Sequence, residues 1–201
     1  MNDRPKFMTA EAWLDLPMET DESQIIIGSP SQAIIRPLTK NLIQAPEKAF
    51  KTTVALRLML ALSCGKTVFS ELPVLRSRRV LYVHGELSAA EIQERTRDAA
   101  QGLPRPLNNF YQGRDSRIHL CEKNGQGILS NIVASVKPDD LVLDPLQAFI
   151  SGFDENEFQH VSLATKCMDN LIEKFGVTIY LVTHTGKDHR RGTRGHSSQA
   201  D

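Results

Sequence analysis

The sequence has no apolar run approaching the ~20 residues that a membrane-spanning helix needs, and its first residues carry no hydrophobic signal-peptide core. Net charge is missing too. Lys and Arg number 24, as do Asp and Glu, so no overall field recommends nucleic acid or a membrane surface as a partner. Cysteine is scarce: Cys64, Cys121 and Cys167 are odd in number and show no C-x-x-C spacing. That favours buried free thiols in a reducing compartment over a redox or metal role. A soluble cytoplasmic protein is expected. What is present suits one domain, since 201 residues with 40% apolar content supply an ordinary core. Charge is uneven along the chain: residues 11–22 are acidic, while residues 187–194, KDHRRGTR, are strongly basic.

Residues 1–24 read as a polar adaptor segment with one short helix, 10–16, in which Trp13 and Leu14 pack on the body of the protein. Residues 25–201 form the main domain. Ile25-Ile26-Ile27 and Ala33-Ile34-Ile35 flank a Gly-Ser-Pro turn and predict two short strands, followed by a Leu42-Ile43 strand. The helix after residue 50 is apolar nearly all round, from Val54 to Leu62, so it is expected to be buried, with Gly65 as its stop. Val80 to Val83, Leu141 to Leu143 and Val177 to Val182 are continuous apolar runs, as parallel strands covered on both faces require. Ser88 and Glu91 form a capping box opening a helix to about Ala100, and Pro104 and Pro106 lie beyond it. Residues 108–113 read as loop, Ile118-His119-Leu120 as a short strand and residues 128–136 as helix. A helix over 157–175 is predicted to bury Val161, Leu163, Ala164, Met168, Leu171 and Ile172, with Gly176 as its break. Strands alternating with helices give an α/β fold with a mostly parallel sheet.

Ligands of such sheets bind beyond the carboxyl ends of the strands. The strands here end in Lys51-Thr52, Glu86, Asp144 and His184. The segment from Ala45 through Pro46, Glu47, Lys48, Ala49, Phe50 and Lys51 to Thr52 and Thr53 has the layout of a phosphate-binding loop. Both glycines of the usual G-x-x-x-x-G-K-[ST] spacing are absent, replaced by Ala45 and Phe50. A side chain at a position needing φ > 0 costs about 1 kcal/mol or more. In this layout Lys51 meets the β- and γ-phosphates of ATP, and the Thr52 hydroxyl and the Asp144 carboxylate hold Mg²⁺. Glu86 polarises the attacking water, and His184 contacts the γ-phosphate. Each residue also has a plain reading: a lysine in a solvated first turn, an aspartate ending a strand, a surface glutamate, a structural histidine. Asp154-Glu155-Asn156 reads as N-capping chemistry. The basic tail binds a phosphate backbone, offers an arginine to a neighbouring nucleotide, or is simply solvated.

Three segments carry a resemblance: DPLQAFISGFDEN (144–156), LVTHTGK (181–187) with RGTRGHSS, and VLYVHGE (80–86). From about Ile34 onward the chain resembles the RecA-type P-loop ATPases of the hexameric replicative helicase group, in the RepA-like plasmid and phage branch. The resemblance implies that the His184 strand lies between the loop strand and the Asp144 strand, with the Glu86 strand beyond. It implies Lys51 and Thr52 at nucleotide and Mg²⁺, Asp144 as the Walker B residue, Glu86 as catalytic base and His184 as γ-phosphate sensor. It implies ATP at the interfaces of a ring, a hexamer for the family, with single-stranded DNA in the channel and Lys187, Arg191 and Arg194 near the DNA-facing loop. It also implies further strands past Asp201, without which the Leu42-Ile43 strand is an exposed edge.

The expected function is therefore ATP hydrolysis coupled to engagement of single-stranded DNA. The competing readings are a nucleotide-binding or assembly module that does not hydrolyse, favoured by the lost glycines, and a small-molecule phosphotransferase, against which the absence of an acceptor lid argues.

Overall fold

Strands that are apolar at every position must be covered on both sides, and that requirement organises this protein. The computed structural model describes residues 9–11, 25–29, 32–69, 71–150 and 158–184. Among them β1 (Ile27–Ser29) and β2 (Gln32–Ile35) form an antiparallel hairpin. The main sheet has five parallel strands: β3 (Lys40–Ala45), β4 (Val80–His84), β5 (Phe110–Gly113), β6 (Asp140–Asp144) and β7 (Thr178–His184), in the order β3-β7-β6-β4-β5. The arrangement of the first four strands is the one the resemblance implies. Four helices flank the sheet: α1 (Lys51–Cys64), α2 (Ala89–Ala99), α3 (Lys123–Val136) and α4 (Phe158–Phe175). This is an α/β fold with a RecA-like P-loop core.

The pleat divides each strand between two cores. Val80, Tyr82, Val142, Tyr180 and Val182 face α1 and α2, and the apolar end of the hairpin joins them. Leu81, Val83, Leu141, Leu143, Ile179 and Leu181 face α3 and α4. Helix α1 is buried from Ala55 to Ser63 except at Arg57, although Val54 at its start is exposed. Gly65 ends it in the left-handed conformation, φ 62°, and an added Cβ there would lie 2.9 Å from the Ser77 backbone nitrogen. The capping box of α2 forms as expected: the Glu91 N–H donates to Ser88, and the Ser88 N–H donates to Glu91.

Several expectations change. Residues 110–113, expected as loop, are edge strand β5; only Phe110 is partly covered, so the apolar signal of a buried strand is missing. Ile118-His119-Leu120, expected as a strand, is irregular chain. Ile118 and Leu120 are buried plugs on the α3–α4 side, and the Leu120 N–H donates to the Phe149 carbonyl. Helix α4 buries Ala164, Cys167, Met168 and Leu171, while Ile172 is half-buried and Val161 and Leu163 are exposed. Leu163 is off the i, i+3, i+4, i+7 stripe, whereas Val161 continues that stripe one turn earlier, near the start of the helix, and is exposed all the same. Strand β3 is an edge of the described sheet, and Leu42 is 53% exposed. Residues 10 and 11 are helical, while Trp13 and Leu14 lie outside the described residues. None of the three cysteines is in a disulfide, and only Cys167 is fully buried. No helix among the described residues is long and apolar enough to cross a membrane.

Candidate active site

The parallel register brings the strand ends to one edge. Ala45 stands beside His184 across β3–β7, and His84 beside Asp144 across β4–β6. Chain leaving these ends lines a cavity of about 540 Å³, within the range of small-molecule sites. Its walls include Lys48 to Thr53, Glu86, Arg95, Asp144 and His184. Ala45, Pro46 and Glu47 build the loop without lining the cavity, and Lys187, Arg191 and Arg194 lie outside the described residues.

The loop folds on itself. The Ala49 N–H donates to the Pro46 carbonyl at 3.3 Å, and Lys51 Nζ donates to the same carbonyl at 2.7 Å. Lys51 is only 7% exposed, and its ammonium has two further donors. Phe50 occupies the conformation a glycine would take, φ 55° and ψ 25°, with its ring 77% exposed. Lys48 is left-handed as well, φ 63°. Ala45 is not: it ends a strand, so the first missing glycine carries no conformational cost here. Phe50 leaves α1 without a side-chain cap, and the first turn holds no acidic residue. Open N–H groups at the positive end of a helix dipole, with Lys51 beside them, form an anion site.

Opposite the loop, Asp144 is 4% exposed and accepts a hydrogen bond from the Tyr82 hydroxyl, with the Thr52 hydroxyl nearby. Burial pushes its carboxyl above the usual range. Those two hydroxyls and the Arg95 charge pull the other way without overcoming it. Burial and the Asp144 charge hold the Tyr82 hydroxyl well above its usual value, so it stays a donor. Burial and the Arg114 charge keep the neighbouring His84 imidazole below its usual range, only partly opposed by Asp144. Nδ1 of His84 and Nδ1 of His184 are buried with no partner among the described residues. Buried carboxylate and threonine hydroxyl, both oxygen donors, make a hard-cation pair that phosphate and water oxygens can complete. No cluster of three or more His, Cys, Asp or Glu able to hold a metal occurs among the described residues, so a bound cation depends on such added oxygens.

This assembly of loop, helix terminus and strand-end carboxylate matches a known family over most of the chain. The model of an AAA domain, AAA_25, covers residues 34–190. The chain belongs to this AAA family of P-loop ATPases. No curated protein matches the chain. In this AAA domain the cavity lies at the carboxyl edge of the sheet, the edge at which P-loop folds bind phosphates.

Reading the sequence missed Arg95. It sits two turns into α2, whose start directly follows Glu86, and helical side chains tilt toward the helix N-terminus, which returns its guanidinium over the strand ends. The capping box marks that helix start, so the signal was present. Gln147 and Tyr82 were missed as well: the first looked like loop, and the second like one more apolar strand residue.

Proposed function

We propose that this AAA domain binds ATP with Mg²⁺ and hydrolyses it. The observation that carries the reading is the convergence of Lys51 and Thr52, at the open start of α1, with the buried Asp144, Glu86 and His184 in one cavity. Thr52 and Asp144 would hold Mg²⁺, which would supply charge neutralisation to the phosphates. Lys51 and the N–H groups of α1 hold the β- and γ-phosphates. Glu86, exposed to the cavity, orients a water and takes its proton as the oxygen bonds to the γ-phosphorus and the bond to the β-phosphate oxygen breaks. His184 contacts the γ-phosphate through its ring, and Arg95 offsets charge on the same group.

The wider role is that of a replicative helicase subunit: a ring, hexameric in this reading, that couples hydrolysis to single-stranded DNA through Lys187, Arg191 and Arg194. Its support is the resemblance of the segments following β4, β6 and β7. A non-hydrolysing nucleotide module is the second reading. Phe50 in a glycine conformation and Lys51 turned onto Pro46 favour it.

ATPase rates of wild type and Lys51→Ala, each with and without single-stranded DNA, separate these. Hydrolysis is expected to fall at least a hundredfold in Lys51→Ala, on the scale of losing a transition-state charge contact. Equal rates reject catalysis at this site. Stimulation by DNA that survives Arg191→Ala with Arg194→Ala removes the tail from the mechanism, and mass measurement with and without ATP tests the ring.

A further inference from the structure

The chain leaving Asp144 makes one tight turn, Leu146–Phe149, before the described residues break off at 150. That turn touches two strand ends at once. On one side Gln147 Nε2 donates to Thr183 Oγ1 at 2.9 Å, and Thr183 Oγ1 donates to the His184 carbonyl at 3.3 Å. On the other, Ala148 lies so close to Gly85 that a Cβ on that glycine would stand 2.2 Å from the Ala148 Cβ. The Gly85 N–H donates to the Asp144 carbonyl at 2.9 Å, so the residue before Glu86 is gripped by the same chain that leaves Asp144. Gln147 also lines a second cavity, about 340 Å³, which meets the first at Glu86. Its Oε1 is buried there with no partner among the described residues. An orphaned buried acceptor is costly, and such groups persist where they serve a function.

We propose that Gln147 is a positioning residue: its Nε2, through Thr183, fixes the strand end that carries His184 to the turn that sets the height of Glu86. This rests on the reading of the cavity as a nucleoside-triphosphate site. The γ-phosphate contact and the water-activating carboxylate are then one mechanical unit. Losing the link lets His184 and Glu86 adjust separately, which weakens discrimination of the γ-phosphate and slows turnover. The α- and β-phosphate contacts of the loop, on the far side of β7, are left in place.

The test is a double-mutant cycle in the full chain with Gln147→Ala, Thr183→Val, the double variant and Thr183→Ser. Fluorescent ADP and a non-hydrolysable fluorescent ATP analogue report binding, and turnover and thermal melts are recorded beside them. Each single variant is expected to lose about tenfold in turnover and in preference for the ATP analogue over ADP, the scale of one well-placed hydrogen bond, with ADP affinity within about twofold. The double variant should be no worse than either single one, because both remove the same link. Thr183→Ser keeps the hydroxyl and should behave as wild type. Losses that multiply toward a hundredfold in the double variant overturn the proposal, as does Gln147→Ala with unchanged preference and turnover. Loss of ADP affinity with a lowered melt in Gln147→Ala assigns the amide a merely structural role and overturns it too. If wild type binds neither nucleotide, the reading of the cavity itself has failed and the proposal falls with it, a result visible before any variant is made.

Discussion

Strand β6 begins and ends in a buried aspartate, and the two are put to different use. Asp140, at the amino end, is fully buried and met by Arg78, whose Nε donates at 2.6 Å and Nη2 at 3.1 Å. Burial works against the Arg78 charge, yet the hydrogen bond and the attraction of Asp140 hold the guanidinium above its usual value. The same edge is tied further: Asp139 accepts from the Arg79 N–H at 2.8 Å, and the Thr178 N–H donates to the Asp139 carbonyl. Asp144, at the carboxyl end, is nearly as deep but accepts from the Tyr82 hydroxyl rather than from a cation, with Arg95 across the cavity. Four buried side-chain polar atoms lack a partner among the described residues. Three of them, on His84, His184 and Gln147, are at the carboxyl end, and the fourth, the Tyr180 hydroxyl, sits near Asp140. One end of the sheet spends its charges on itself, and the other leaves them open around a cavity.

The largest expected effect strikes the self-satisfied end. Asp140→Ala leaves Arg78 buried and unpaired, and should cost about 3–5 kcal/mol in chemical denaturation. Replacing both, Arg78→Met with Asp140→Leu, should restore most of that loss, because the pair's mutual attraction mainly offsets its own desolvation. A double variant as unstable as Asp140→Ala would show that the pair does more than neutralise itself.

At the other end the sign reverses. Asp144→Asn should abolish measurable hydrolysis yet stabilise the fold in metal-free buffer by about 1 kcal/mol, on the scale of relieved active-site strain, read as a higher melting temperature. The pH dependence follows from burial raising the folded-state pKa. The folded protein then holds a proton that the unfolded chain has released, so wild-type stability falls as pH rises through the interval between the two values. Below the ordinary carboxylate range wild type and variant should melt alike, and the advantage of the variant should grow as pH rises and then level off. An advantage that shrinks with rising pH would mean that Arg95 and the hydroxyls outweigh burial.

The smallest effect concerns the strained loop. Phe50→Gly relieves a left-handed phenylalanine and should stabilise by up to about 1 kcal/mol, the gain being reduced by the greater freedom of glycine in the unfolded chain. No equivalent gain is expected for Ala45→Gly, since Ala45 ends a strand without a positive φ.

Much of this contrast can be read in the sequence at one end and little at the other. The runs 80–83, 141–143 and 177–182 announce strands covered on both faces, and the polar residues Glu86, Asp144 and His184 at or just beyond their ends announce the edge where chemistry gathers. Edge strand β5 escaped because a strand that buries almost nothing writes no apolar pattern. Ile118 and Leu120 misled because a buried loop with two plugs alternates as a strand does. Nothing local marks Arg78, since its pairing with Asp140 spans 62 positions that no sequence pattern connects.

By itself, then, the sequence determined the alternation of strands and helices, the lysine and hydroxyl at the start of α1, and the polar residues ending the strands. Those follow from periodicity and from the rule that ligands meet parallel sheets at their carboxyl ends. Only the tertiary structure decided which groups are spent and which are open, because that depends on register. Placing Asp140 beside Arg78 closes one end of the sheet, and placing Asp144 beside Tyr82 and Thr52, with Gln147 turned toward Thr183, leaves the other poised around a cavity.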